Sequence, residues 1–487
     1  MSRFILPAPH DRRSIPTGLF IGGAWRDAKK TVAVTNPSNG KPITEIADGD
    51  EDDAIAAVNA AEAARAGWAT TAPRQRAEIL RKCFDGIVAA ADWLAFMISL
   101  EMGKGLADSK SEVLYAAEFY RWYSEEAARV LGEATMAPGG TNRILVDYQP
   151  IGISLLITPW NFPAAMAARK IAPALAAGCP VILKPAIETP LTALAIADIM
   201  HQAGVPPGVV NVITTTKPGA VAAKILHDPR VRKLSFTGST AVGRLLLKQA
   251  ADQVISSSME LGGNAPFIVC ADANLKDALD GAMLAKMRNG GEACTAANRF
   301  YVQRGLTKAF TDGMVERMAK LKLGEGTDPE TTLGPMISDK AVAKIAGLVD
   351  DAVAKGGKLL LGGTRLNRPG SYYPATVIAD VPDNARAWKE EIFGPVTVIQ
   401  PFDSDDEVIA KANDTELGLS SYLYTGDLKR GLSMAGKIEA GMVGLNRGLV
   451  SDPAAPFGGV KQSGLGREGS HHGLMEFTEC KYVAVSW

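Results

Sequence analysis

Over the first 130 residues apolar positions recur at helical spacing, which predicts helices over 51–66, 74–102 and 108–131. Glu51-Asp52-Asp53 sets negative charge in the first turn of the earliest helix, where the helix dipole favours it. From residue 151 the pattern changes. Short apolar runs at 151–157, 180–184, 209–213, 232–236 and 265–270 read as strands, and 164–177, 190–203, 218–227 and 240–252 between them read as helices. Such alternation indicates a parallel sheet covered by helices on both faces, with ligands bound beyond the carboxyl ends of its strands. A second alternating region follows over 271–445, with helices near 275–288, 307–320 and 338–355 and strands at 299–303, 358–361 and 395–400. Residues 132–150 are polar at first and strand-like from Arg143 to Tyr148, and with the tail 478–487 they read as a β-arm. The chain is thus an α/β protein with no internal repeat.

Length and charge narrow the possibilities. A chain of 487 residues exceeds one ordinary hydrophobic core and suggests two or three domains. Lys plus Arg number 52 against 53 Asp plus Glu, a balance without the basic footprint of a nucleic-acid or membrane-surface binder. The expected partner is a small molecule. Met1 to His10 holds only Phe4-Ile5-Leu6 as an apolar stretch before Pro7, too little for a secretory signal. The uncharged run Pro150 to Ala168 is interrupted by Pro159, Asn161 and Pro163, so it reads as a strand and loop rather than a membrane span. Five cysteines (Cys83, Cys179, Cys270, Cys294, Cys480) without a close pair suggest neither a disulfide framework nor a zinc cluster, and the expected compartment is cytoplasmic. No metal site is expected.

Four segments carry candidate chemistry. In Asn289-Gly290-Gly291-Glu292-Ala293-Cys294-Thr295 two glycines end a helix and bend the chain before a cysteine. If a helix restarts at Cys294, its free N–H groups would lower the thiol pKa and could hold an oxyanion; otherwise the cysteine is a small buried apolar residue. In Met259-Glu260-Leu261-Gly262-Gly263-Asn264 the carboxylate sits between an apolar residue and a glycine turn, where desolvation would suit a general base, or where it simply caps the turn. Asn161, held between Pro159 and Pro163, could donate to an oxyanion or serve ordinary turn chemistry. Gly238, Ser239 and Gly243 follow a strand and open a helix, so a diphosphate could approach there, although the full dinucleotide glycine fingerprint is absent.

Together these segments resemble the aldehyde dehydrogenase superfamily over nearly the whole chain. The likeness rests on Pro159 to Pro163, Lys184-Pro185, Ser235 to Gly243, Glu260 to Pro266, Asn289 to Arg299, Glu391 to Pro395 and Pro456 to Gly469. Arg288, the run Glu260 to Pro266 and Gly464 to Ser470 are most similar to the succinate-semialdehyde dehydrogenase branch. The resemblance implies a Rossmann-type cofactor domain (1–131 and 151–262), a catalytic domain (263–456) and an oligomerisation arm with the tail (132–150 and 457–487). It implies attack by Cys294 on the aldehyde, an oxyanion held by Asn161, hydride transfer to NAD or NADP, and thioester hydrolysis by water that Glu260 activates. Thr158, Trp160, Lys184, Gly238, Ser239, Gly243, Glu391 and Phe393 would hold the cofactor. Arg169, Arg288 and Ser451 would grip a carboxylate or sulfonate on the substrate, since a guanidinium matches such groups bidentately.

Two departures refine this expectation. NAD-preferring relatives carry a Glu three places after the Lys184 equivalent; here Ile187 stands there and Glu188 follows, which leaves use of both cofactors open. Ala296 replaces a second cysteine that some relatives can oxidise. Succinate semialdehyde is the first expected substrate, with sulfolactaldehyde or glutarate semialdehyde as alternatives, because Asp452-Pro453 could reshape the anchor loop. A catalytically dormant binding protein and a CoA-acylating enzyme are rivals, both opposed by the presence of Glu260. The resemblance also implies a homotetramer, with the arm adding strands across subunits.

Overall fold

The computed structural model describes residues 3–6 and 13–486. The reading of Met1 to His10 as free of a secretory signal therefore falls largely outside the described residues, as does Trp487 of the tail. An eight-stranded sheet runs in the order Gly464–Leu465, Ser256–Glu260, Val231–Thr237, Ile153–Ile157, Val181–Lys184, Val210–Val212, Leu19–Ile21 and Ala24–Arg26. Its five central strands are parallel and its outer ones antiparallel. Neighbouring residues in these strands point to opposite faces: Leu155 joins the core under helices Glu51–Thr70, Pro218–Leu226 and Thr240–Ala251, while Leu156 joins the core under Pro163–Ala177 and Pro190–Gln202. Three further helices, Pro73–Ala89, Ala91–Met102 and Leu106–Glu126, cover that second layer.

A seven-stranded sheet follows, in the order Lys358–Leu361, Thr376–Ala379, Val396–Phe402, Ala297–Gln303, Ala265–Val269, Ser420–Tyr424 and Met442–Leu445. All its neighbours are parallel except the edge strand Lys358–Leu361. Glu133–Met136, Arg143–Pro150 and Thr478–Val485 form a separate antiparallel three-stranded sheet, the arm. Of the segment 457–487 only this last strand joins the arm. The rest turns back to the body, where Gly464–Leu465 pairs with Ser256–Glu260 and helix Ser470–Met475 packs on helices Pro163–Ala177 and Leu106–Glu126.

Several elements differ from the pattern in the sequence. The helix expected over 74–102 is two, bent by 71° at Ala90. The first half has a solvent face, whereas the second is buried almost throughout, and the bend turns it into the core. The helix expected over 108–131 stops at Glu126, and the chain departs there for the arm. Ser256–Glu260 escaped the apolar pattern because it begins with three serines; Ser258 Oγ instead donates to Glu476 at 2.7 Å. Among the described residues no single helix is long and apolar enough to cross a membrane.

Two helices that frame the site begin with proline and lack a capping side chain of their own. Buried carboxylates from neighbouring helices take up their free N–H groups. Glu112 accepts from Ala164 N at 2.8 Å and Ala165 N at 3.3 Å, and Glu101 accepts from Leu191 N at 2.8 Å and Thr192 N at 2.9 Å. Glu112 also pairs with the equally buried Lys104 at 2.6 Å. Glu112→Ala leaves that ammonium buried without its carboxylate, which is expected to cost about 3–5 kcal/mol of stability. Chemical denaturation checks this, and an unchanged unfolding midpoint would show that the pair does not hold the helix layer together.

Candidate active site

The carboxyl ends of the first sheet face the amino ends of the second. Between them lies a cavity of about 590 Å³ lined by Trp160, Asn161, Gly238, Ser239, Cys294 and the segment Glu391–Phe393, among others. The candidates that line it lie beside strand ends. Ile153–Ile157 runs into the loop that carries Thr158, Trp160 and Asn161; Val231–Thr237 runs into Gly238 and Ser239; Glu260 ends its own strand. From the second sheet, Cys294 precedes Ala297–Gln303, and Glu391 and Phe393 precede Val396–Phe402.

No helix begins at Cys294. Arg288–Gly291 is a short 3-10 turn in which Asn289 (φ 56°), Gly290 (φ 60°) and Gly291 (φ 80°) are left-handed, and Cys294 follows in a turn. The helix-dipole activation considered for the thiol is therefore absent. Gly291 has to be glycine on two counts, since a Cβ there would also lie 2.3 Å from the Gly394 carbonyl oxygen. Burial pushes the Cys294 thiol up to about 12, with Arg169 and Arg288 pulling the other way, although its side chain keeps some exposure to the cavity.

The Asn161 loop is strapped from behind. Asn161 Nδ2 donates to Glu292 O at 3.0 Å, while Asn289 Nδ2 donates to both Glu292 O and Asn161 O at 2.9 Å. Lys104 Nζ donates to Asn161 O at 2.6 Å. These bonds tie the amide directly to the backbone two residues before the cysteine. Lys104 was not picked out in the sequence, and Asn289 stood there only as the first residue of the cysteine segment; the fold gives both a role.

Glu260 is 3% exposed, and neither carboxylate oxygen has a hydrogen-bond partner. Burial raises its pKa well above the usual carboxylate range, the nearby Glu468 adds to this, and Arg169, Lys170 and Arg467 oppose it. Burial thus favours its protonated form, and with no hydrogen bond to lose the carboxyl can take up or release a proton without breaking a structural contact.

The anion candidates gather around a residue that sequence reasoning missed. The Tyr115 hydroxyl lies against the side chains of Arg169 and Ser451, with Arg288 nearby. Arg169 stacks over Phe457 at 4.0 Å and Arg288 over Phe162 at 4.8 Å. Arg169 is also ion-paired: its Nε lies 2.5 Å from Glu468 Oε2, although the contact is too bent for a hydrogen bond. Tyr115 gave no signal because it sits at an ordinary position in an amphipathic helix.

The cofactor candidates divide. Ser239 caps helix Thr240–Ala251, so free N–H groups open onto the cavity beside Gly238. Glu391 Oε1 accepts from Gly263 N at 3.1 Å, and Trp160 meets Phe393 edge-on at 5.5 Å. Gly243 packs under Leu261, where a Cβ would lie 2.5 Å from Cδ2, so its smallness serves helix packing rather than direct approach of a diphosphate. Lys184 is buried, donates to Pro185 O at 3.0 Å, and is lowered by burial to about 8, with Glu188 opposing. Glu188, but not Ile187, borders the cavity; Ile187 packs against the apolar core. A cavity reaching from a helix N-terminus to a thiol, with one carboxylate anchored at its wall, fits a dinucleotide. Among the described residues no group of three or more His, Cys, Asp or Glu side chains is placed to hold a metal ion.

The aldehyde dehydrogenase family model matches residues 25–483. The chain belongs to the aldehyde dehydrogenase family. It is 50% identical over 444 residues to a succinate-semialdehyde dehydrogenase of Paenarthrobacter nicotinovorans (91% of this chain, 99% of that one). It is 45% identical over 469 residues to a glutarate-semialdehyde dehydrogenase of Pseudomonas putida (96% and 97%). The crystal structure of an Escherichia coli NADP-dependent enzyme superposes with a TM-score of 0.96 at 45% identity, covering 97% of this chain and 98% of that one. An NAD+ complex of a Bacillus cereus aldehyde dehydrogenase superposes at 0.93 with 35% identity, covering 96% of each.

In this aldehyde dehydrogenase the raised thiol pKa has a direct consequence for the enzyme without ligands. The reactive thiolate is a small fraction at neutral pH and grows about tenfold per pH unit. Alkylation of Cys294 by iodoacetamide, followed by mass spectrometry, is expected to accelerate steadily from pH 7 to 10. A plateau below pH 8 would mean a preformed thiolate and would contradict the effect of burial.

Proposed function

We propose that the enzyme oxidises succinate semialdehyde to succinate with NAD or NADP, and the observation that carries this reading is the cluster of Arg169, Arg288, Ser451 and Tyr115 near the candidate nucleophile. Two guanidiniums seated on aromatic rings hold their planes fixed, so a short acid end binds with little ordering cost. Glutarate semialdehyde and sulfolactaldehyde are the alternatives; the first is favoured by the name of the Pseudomonas putida relative.

Cys294 Sγ attacks the aldehyde carbon as its thiolate, the thiol proton having passed to solvent, and Asn161 Nδ2 with the Cys294 backbone N–H stabilises the resulting oxyanion. When bound, a nicotinamide dinucleotide would supply the two-electron oxidant for that carbon. Trp160 and Phe393 would wall its ring, Glu391 would accept from its ribose, and Thr158, Gly238 and Ser239 would flank its path, with Gly243 holding the helix close. Lys184 would meet the adenosine ribose, and with Ile187 in place of a carboxylate either cofactor would be accepted. Glu260 then takes a proton from water as the water oxygen bonds to the thioester carbon; the C–S bond breaks and sulfur leaves as thiolate.

We further infer a cofactor domain of residues 1–131 and 151–262 and a catalytic domain of 263–456. The arm, with its exposed Glu133–Met136 edge, is suited to pairing with another subunit, which supports a homotetramer. Cysteines left unpaired in the fold support a reducing, cytoplasmic setting.

Two experiments test this reading. Arg288→Ala and Ser451→Ala are expected to lower kcat/KM for succinate semialdehyde relative to butanal by about 10- to 100-fold, in line with loss of one charge-assisted contact. An unchanged ratio overturns the anion clamp. Glu260→Gln is expected to lower kcat by about 10²- to 10⁴-fold while the acyl adduct accumulates on Cys294, read by mass spectrometry of quenched enzyme. Absence of that adduct places the base in an earlier step.

A further inference from the structure

Four charged side chains are buried together behind the reacting sulfur: Arg169, Lys170, Glu260 and Glu468, none more than 5% exposed. They comprise two cations and two carboxylates, whose charges cancel when all four are ionised. Its bonds are unevenly shared. Glu468 takes Lys170 on Oε1 and Arg169 on Oε2, while Glu260 has no hydrogen bond at all. Lys170 Nζ also donates to Ser235 Oγ at 3.0 Å, so that cation is committed on two sides. Arg169 faces both sides: its Nε edge meets Glu468, one Nη donates to Met166 Sδ at 3.2 Å, and the guanidinium lies against the Tyr115 hydroxyl, which also meets Ser451 on the side assigned to the substrate's acid group.

We propose that Arg169 serves two carboxylates at once, gripping the acid end of the substrate while holding Glu468 as an anion, and that it thereby positions the charge balance under which Glu260 works as a base. This rests on the roles given above to Arg169 and Glu260 and adds a link between them. Burial alone would raise Glu468; Lys170 and Arg169 outweigh burial and hold it below the usual carboxylate range. The groups facing Glu260 are Glu468, Arg169, Lys170 and Arg467, with Cys294 also within electrostatic reach. Tyr123 faces Glu468 from helix Leu106–Glu126.

The sign follows from charge. Removing Arg169 leaves one committed cation for two buried carboxylates, so the pair holds a proton to higher pH. Glu260 must be unprotonated to receive a proton from water. Thioester hydrolysis should then slow at neutral pH and recover in alkali. An acid-bearing substrate acts in the same direction, because its carboxylate draws on the same guanidinium.

The test is the pH dependence of deacylation, followed as loss of the acyl adduct from Cys294 in single turnovers. With butanal, Arg169→Met is expected to move the acidic limb up by about one pH unit and slow hydrolysis at pH 7 roughly tenfold. Arg169→Lys keeps the charge but not the fork, so it should restore the limb while kcat/KM for succinate semialdehyde over butanal stays low. A limb that does not move in Arg169→Met overturns the shared role even if that ratio falls, and leaves the clamp standing. A ratio that does not fall removes Arg169 from the clamp and overturns the proposal with it. The parent enzyme offers a check free of folding effects: its limb with succinate semialdehyde should lie above that with butanal, and coincident limbs overturn the proposal.

Discussion

Between Glu260 and Ala265 the chain leaves one sheet and enters the other, and at Gly263 it passes so close to the nucleophile turn that a Cβ would lie 2.2 Å from the Cys294 carbonyl oxygen. Only hydrogen fits there. This contact fixes the end of a strand from the first sheet against a turn from the second, and with it the separation of the candidate base and nucleophile. Gly263 N in turn holds Glu391, so the cofactor wall is referenced to the same point. The geometry of the site depends less on any side chain than on two backbones allowed to touch.

Around that contact the fold spends buried polar groups on rigidity. Lys104 and Asn289 fix the carbonyl of Asn161, and Glu112 fixes both Lys104 and the start of the helix that carries Arg169. The oxyanion donor and the anion clamp thus share one framework of charge-assisted bonds, and a disturbance of either reaches the other through side chains remote from the substrate.

The sequence made the alternating strands and helices of 151–269 readable because period two and period 3.6 are strong signals in buried elements. Cys294, Glu260 and Asn161 were readable through short motifs with distinctive glycines and prolines. What stayed hidden depends on distance along the chain. Lys104 reaches Asn161 across 57 residues and Lys170 reaches Glu468 across 298, and no local pattern encodes such pairs. The bend at Ala90 carries no glycine or proline to mark it, and three serines concealed the strand Ser256–Glu260, whose buried Ser258 finds its partner, Glu476, only in the folded tail. The thiol's surroundings also differed from the local expectation: left-handed backbone at Asn289 to Gly291 produced a turn where a helix start was one possibility.

The return of residues 457–476 to the body has a bearing on how the enzyme is made. Phe457 under Arg169, Gly458 beside Glu260, Ser463 bonded to the Gly262 carbonyl and Glu468 between two cations all belong to this stretch. A ribosome adds it after Asn161, Glu260, Cys294 and Glu391 have already emerged. Until it folds back, Glu468 is missing from between Arg169 and Lys170, and Phe457 from beneath Arg169. The site is therefore completed by the last part of the chain to be made.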